Sequence, residues 1–169
     1  MRVLGIDPGT RQLGYGLVEE QEGRLQAYDY GTLKFSSSLL IEQRLYQIYS
    51  HLVNMVGVLS PDEVAIEEPF MGQGESRFVG PAFAVGQAQA AVLIATASQG
   101  IPVFRYSPAQ VKSSVADHGN ATKEQVQTMV QLSLSLEESP DSFDASDALA
   151  IALCHLRQRA VSKLVEGSA

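Results

Sequence analysis

The chain opens on short apolar runs interrupted by glycine. Val3, Leu4 and Ile6 around Gly5 predict a buried strand over Arg2 to Asp7, stopped by the Pro8-Gly9 turn. Leu13 to Val18 reads as a second strand, with Gly14 and Gly16 inside it. The polar stretch Glu19 to Gly23 reads as a hairpin turn, and Leu25, Ala27, Tyr28 and Tyr30 mark a third strand from Leu25 to Phe35. Three strands joined by short turns make an antiparallel meander.

The period then changes. Leu45, Ile48, Leu52, Met55, Val56 and Leu59 follow helical spacing, so a helix is predicted from about Leu39 to Leu59, with N-caps offered by Ser36 to Ser38 and a stop at Pro61-Asp62. Glu63 to Glu67 is a short strand. Phe70 to Gly80, with three glycines, is the clearest loop. An Ala-rich helix follows over Pro81 to Ser98 and stops at Gly100. Val103 to Tyr106 is a fifth strand. Ser107-Pro108 reads as N-cap and first position of a short helix to Ala116, and Asp117 to Asn120 as a loop. Thr122 caps a further helix with Glu124 and Gln125 nearby. After the acidic break Glu137 to Asp141, a last helix is predicted over Phe143 to Arg159, with a frayed tail from 160 to 169. A meander followed by βαβ units predicts an α/β fold: one domain over residues 1–159, with a mixed five-stranded sheet, helices on both faces, and strands one, four and five parallel.

Composition sharpens this picture. A chain of 169 residues, 45% hydrophobic and 18% charged, suits one globular core. No run reaches the ~20 apolar residues of a membrane helix. The N-terminus lacks a signal-peptide pattern, and the lone Cys154 has no disulfide partner, so a cytoplasmic location is expected. Net charge is −7; residues 1–85 carry 6 basic and 11 acidic residues, residues 86–169 carry 6 and 8. That is not the broad basic footprint of a nucleic-acid binder, so a polyanion partner needs local basic positions or metal ions to mask the charge.

Four carboxylates fall where a site would sit. Asp7 and Glu67 end strands one and four, and ligands gather beyond the C-terminal ends of parallel strands. Asp144 and Asp147 lie three apart at the start of the last helix, on a face that Ile151 extends inward. Each alone has an ordinary reading: Asp-Pro-Gly is a common turn, and Asp144 suits a helix first turn. Alternation places Glu67 on the opposite sheet face from Glu68. Four converging carboxylates repel, so their pKa values rise or cations neutralise them. Their oxygens suit Mg²⁺ or Mn²⁺, and two such ions about 3.5–4 Å apart could clamp a phosphodiester.

At these residues the sequence resembles the RuvC family of Holliday-junction resolvases, on the ribonuclease-H-like fold. The segments that carry the resemblance are GIDPGTRQLGYG (Gly5 to Gly16), AIEEPF (Ala65 to Phe70), PVFRYSPAQVK (Pro102 to Lys112), the Ala-Thr-Lys ending at Lys123, and FDASDALAIALCH (Phe143 to His155). The resemblance implies that Asp7, Glu67, Asp144 and Asp147 are catalytic ligands of Mg²⁺, two ions per site, with Mn²⁺ as substitute. It implies that Lys112 and Lys123 contact DNA phosphate and that Phe70 stacks on bases at the junction centre. A homodimer, four-way junction DNA and a branch-migration complex of the RuvA–RuvB type are the implied partners. Departures from the family pattern lie in the loop Met71 to Glu75, which lacks the usual Lys or Asn, and at Gln87-Ala88-Gln89-Ala90, where many members carry Arg-Gly. Two other readings stand beside this one. An actin-like nucleotide-binding protein shares the Asp-x-Gly-Thr turn but needs a second domain. A non-catalytic junction-binding scaffold leaves the carboxylates without a purpose.

Overall fold

The computed structural model describes residues 1–68, 79–116 and 118–166, with the side chains at 79, 81, 82 and 163–166 left aside. The strands are β1 (Arg2–Asp7), β2 (Gln12–Gln21), β3 (Arg24–Lys34), β4 (Glu63–Glu67) and β5 (Val103–Tyr106). The helices are α1 (Ile41–Leu59), α2 (Val79–Ser98), α3 (Pro108–Ala116), α4 (Lys123–Ser133) and α5 (Phe143–Glu166). The five strands form one sheet in the order β3-β2-β1-β4-β5. β1 and β2, and β2 and β3, pair antiparallel; β4 lies parallel to β1 and β5 parallel to β4. This is the ribonuclease-H-like arrangement.

Period-two alternation sends side chains to two cores. Leu4, Ile6, Leu13, Leu17, Val64 and Ile66 lie on one face under α1 (Ile48, Leu52, Val56) and α2 (Ala88, Val92, Ala95). Val3, Val18 and Ala65 lie on the other, under α3, α4 and the apolar run Leu149 to Leu153 of α5. Alanines on α2 keep that layer thin, and its outer face leaves Phe83 and Ile94 exposed.

The glycines of the first two strands have a packing reason. A Cβ on Gly5 would meet the backbone oxygen of Ala148 at 2.0 Å, and one on Gly14 would meet the backbone oxygen of Asp144 at 2.0 Å. Helix α5 therefore lies against bare backbone, which only glycine permits here. The same helix is clamped further along. His155 Nε2 faces Glu63 Oε2 at 2.5 Å, and its Nδ1 faces the Tyr106 hydroxyl at 2.5 Å. The Glu63 carboxylate only accepts, so Nε2 carries the proton and Nδ1 accepts from Tyr106. Burial holds the imidazole below its ordinary pKa despite Glu63, and pushes Tyr106 up to about 12, with Cys154 and Glu63 adding to it. Arg159 donates to the other Glu63 oxygen at 2.6 Å, so the carboxylate is paired on both sides.

Several boundaries differ from the sequence expectation. Helix α5 runs to Glu166, past Arg159: no glycine or proline intervenes before Gly167, so nothing local stops it. Helix α1 begins at Ile41 rather than Leu39. Ser36 and Ser38 bond each other's hydroxyls, and the Gln43 side chain instead accepts from the Leu40 amide at 3.1 Å. Helix α2 starts at Val79, two residues into the predicted loop, whose remainder lies outside the described residues. The hairpin narrows to Glu22-Gly23, both with positive φ, as a two-residue type I′ connection requires. The Thr122 cap is as expected: its hydroxyl accepts from the Gln125 amide at 3.3 Å and the Gln125 side chain accepts from the Thr122 amide at 2.8 Å. Ser107 and Gln110 make the same reciprocal pair at the start of α3.

Candidate active site

Asp7 is the last residue of β1 and Glu67 the last of β4, on adjacent parallel strands, so both stand at the C-terminal edge of the sheet. Glu67 is half-buried, and Glu68, just past the strand end, is exposed. Asp144 and Asp147 lie in the first turns of α5. The contact of Gly14 with the Asp144 backbone brings this helix start beside Asp7, because Gly14 is the β2 partner of Asp7. Strand ends and helix start thus converge through backbone packing.

The charges feel one another. The Asp7 carboxyl is pushed up to about 7, first by burial, then by Asp147 and Asp144, with Lys123 pulling it down. Glu67 is also pushed up to about 7, first by burial, then by Asp7 and Asp147, against Lys112 and Lys123. Burial raises Asp147 as well, opposed chiefly by Lys123, whose Nζ lies 3.3 Å from Asp147 Oδ2. Lys123 is itself held above its ordinary value: burial lowers it, but Asp147, Asp7 and Asp144 more than compensate. It also lies 5.8 Å from the Phe143 ring centroid, a cation–π distance. The four predicted carboxylates and both predicted lysines, Lys112 on α3 and Lys123 opening α4, therefore share one electrostatic neighbourhood. Phe70 lies outside the described residues.

The donor set is all carboxylate, the chemistry of hard divalent cations, and its mutual repulsion is what such a cation relieves. In this structure, among the described residues, no three His, Cys, Asp or Glu stand close enough together to hold one metal ion. Asp147 gives one oxygen to Lys123. A cavity of about 1170 Å³ runs from Asp7 and Asp144 along the sheet edge, and Arg11, Lys34 and Arg44 line it. The sequence reading gave none of these three cations a role.

A ribonuclease-H-like sheet with acidic side chains at the ends of β1 and β4 and at the start of the last helix defines a class, the nucleases of that fold. Within that class the chain belongs to the RuvC family. The family model "Crossover junction endodeoxyribonuclease RuvC" matches residues 3–155. A protein of that name from Dehalococcoides mccartyi is 46% identical over 165 residues, covering 98% of this chain and 96% of its own. The structure of Thermus thermophilus RuvC in complex with Holliday junction substrate is similar with a TM-score of 0.87 and 36% identity, over 96% of each chain. The yeast mitochondrial Holliday junction resolvase shares the fold, with a TM-score of 0.68 and 16% identity over 94% of this chain and 79% of its own.

Proposed function

We propose that this chain resolves four-way (Holliday) DNA junctions in recombination and repair, by paired, symmetric phosphodiester hydrolysis that leaves 5′-phosphate and 3′-hydroxyl ends. The observation that carries the reading is the coupled set Asp7, Glu67, Asp144 and Asp147 at the C-terminal sheet edge, two of them pushed up to about 7. The Thermus relative, solved with Holliday junction substrate, supports the choice of DNA.

The four carboxylates would hold divalent cations, two Mg²⁺ or Mn²⁺ per site. Bound there, the ions supply Lewis acidity to the phosphate and to the attacking water. The rest falls to the chain's own side chains. Asp7 and Glu67 ionise for the task despite their burial. Lys123, fixed by Asp147, and Lys112 offer their ammonium groups to the phosphates beside the cut. Phe70 stacks on bases at the junction centre, where one aromatic–base contact is worth about 1–3 kcal/mol.

The chain works as a homodimer, since a C₂ pair of sites matches the pseudo-symmetry of the junction. The exposed stripe Phe83, Ala90, Ile94 and Ala97 along α2 is the surface offered for that contact. A branch-migration complex of the RuvA–RuvB type would deliver the junction in the cytoplasm; no described helix is long and apolar enough to cross a membrane.

The test is Asp7→Asn on a labelled four-way junction. Cutting falls below detection while junction binding stays within a few-fold of wild type. Cutting retained by the variant overturns the assignment.

A further inference from the structure

The strand ends at the catalytic edge fall in a fixed order. Lys34 closes β3, Arg11 lies in the β1–β2 connection, Asp7 closes β1, Glu67 closes β4, and Lys112 follows β5 on α3. Lys34 pairs with Gln12 at the same end of the sheet where Asp7 pairs with Gly14. Arg44, from the first turns of α1, reaches the same cavity as Arg11 and Lys34. Among the described residues, three Lys and Arg side chains thus line one groove of an acidic protein, with Asp7 and Asp144 as its acidic lining. Lys112 and Lys123 do not line it. They act on Glu67 and Asp147, Lys123 on Asp7 and Asp144 as well, and Lys112 follows edge strand β5, on the far side of Glu67 from the groove.

Among the described residues the ion pairs engage Arg2, Lys123, His155 and Arg159, and none engages Arg11, Lys34 or Arg44. The Arg11 and Lys34 side chains are exposed. The Nε of Arg44 is buried without a hydrogen-bond partner, a costly arrangement unless an acceptor arrives.

We propose that Arg11, Lys34 and Arg44 form a second phosphate track, which grips the DNA strand on the Asp7 side of the cut, opposite Lys112 and Lys123. Resting on the junction-cutting reading above, it adds where the strand runs. Lys34 stands two strand spacings across the sheet from Asp7 and two residues further along it, ~12 Å, or about three to four nucleotides of a strand rising 3.4 Å each. The track therefore holds phosphates a few nucleotides from the scissile one. It also accounts for how a chain of net charge −7 retains a polyanion: the positive charge is gathered on both sides of the carboxylates rather than spread.

The test is the salt dependence of junction binding, measured in EDTA with a fluorescent four-way junction from roughly 50 to 200 mM KCl, where each lost phosphate contact removes about 0.9 from the log–log slope. The variant R11Q/K34Q/R44Q should lose about 2–3 units of slope and bind at least tenfold more weakly at the higher salt. Lys34→Gln alone, at an exposed strand end that tolerates the change, should lose about one unit. Arg24→Gln, at the hairpin tip on the opposite end of the sheet, should leave the slope unchanged. A wild-type slope in both the triple and the Lys34 variants, with junction binding otherwise normal, overturns the track and leaves the junction reading standing. Wild-type protein that does not bind the junction overturns both.

Discussion

Asp7 and Glu67 show how a cluster of carboxylates strains the protein that carries it. Their ordinary values are near 4, and burial with mutual repulsion pushes both up to about 7. Between those values the folded chain holds protons that the unfolded chain has released. Their favourable contribution to folding is therefore fully present below about pH 4 and is lost as pH rises through about 7. Above that, without divalent cations, the ionised cluster works against folding. Asp7→Asn should thus raise the melting temperature at pH 8 in EDTA by at least ~2–4 °C, about 1 kcal/mol in a chain of this size. The gain should vanish at pH 4 and narrow when Mg²⁺ is added to the wild type. Thermal melts of the two proteins across pH check this; a variant less stable than wild type at pH 8 in EDTA contradicts the picture of a repelling cluster. The same scale shows what one sequence reveals. Asp7, Glu67, Asp144 and Asp147 were legible because strand ends and an i, i+3 spacing announce them. Arg11, Lys34 and Arg44 were not, since they come from three separate segments that only the strand order brings to one groove. His155 was equally opaque: its partners Glu63 and Tyr106 sit on two strands far from α5 in sequence.

Helix α5 and the strands under it are the elements on which the site depends. Its first turns deliver Asp144 and Asp147, its middle fills the core under β1 and β2, and Arg159 and His155 fasten it to Glu63. The position of that helix start is set by Gly14, where a methyl group would overlap the Asp144 carbonyl. Gly14→Ala should destabilise the fold by about 1–3 kcal/mol through overpacking. It should slow cutting by far more than the lost stability explains, on the order of 10²-fold for a displacement near 1 Å. Gly57→Ala, inside α1 with nothing within 4 Å of the added methyl, is the control: it should leave cutting unchanged and raise stability by up to about 1 kcal/mol through helix propensity. Melting and single-turnover cutting of the two variants separate these outcomes; equal effects would contradict a positioning role for Gly14. The sequence placed glycines inside the second strand but could not give their reason, because the reason is a helix more than 120 residues away. Element order, by contrast, was readable throughout, since each strand and helix announces itself by period. The differences lay at ends, as at α1, where a glutamine side chain rather than a serine caps the start.

As proposed, an acidic chain approaches DNA through cations gathered at one sheet edge, and a second copy supplies the second cut in the opposed strand. Ile94, exposed on the outer face of α2, lies on the stripe proposed for that contact. Ile94→Lys should shift the protein to monomer in sedimentation and turn paired cuts into single nicks; a dimer that persists would move the interface elsewhere. The most direct test of the central claim is cleavage of a mobile four-way junction beside a linear duplex of the same sequence, in Mg²⁺, Mn²⁺ or EDTA, with both strands mapped. Symmetric paired nicks are expected, on the junction alone, with either cation and none in EDTA, leaving 5′-phosphate ends. Equal cutting of the duplex, or cutting that survives EDTA, would contradict it.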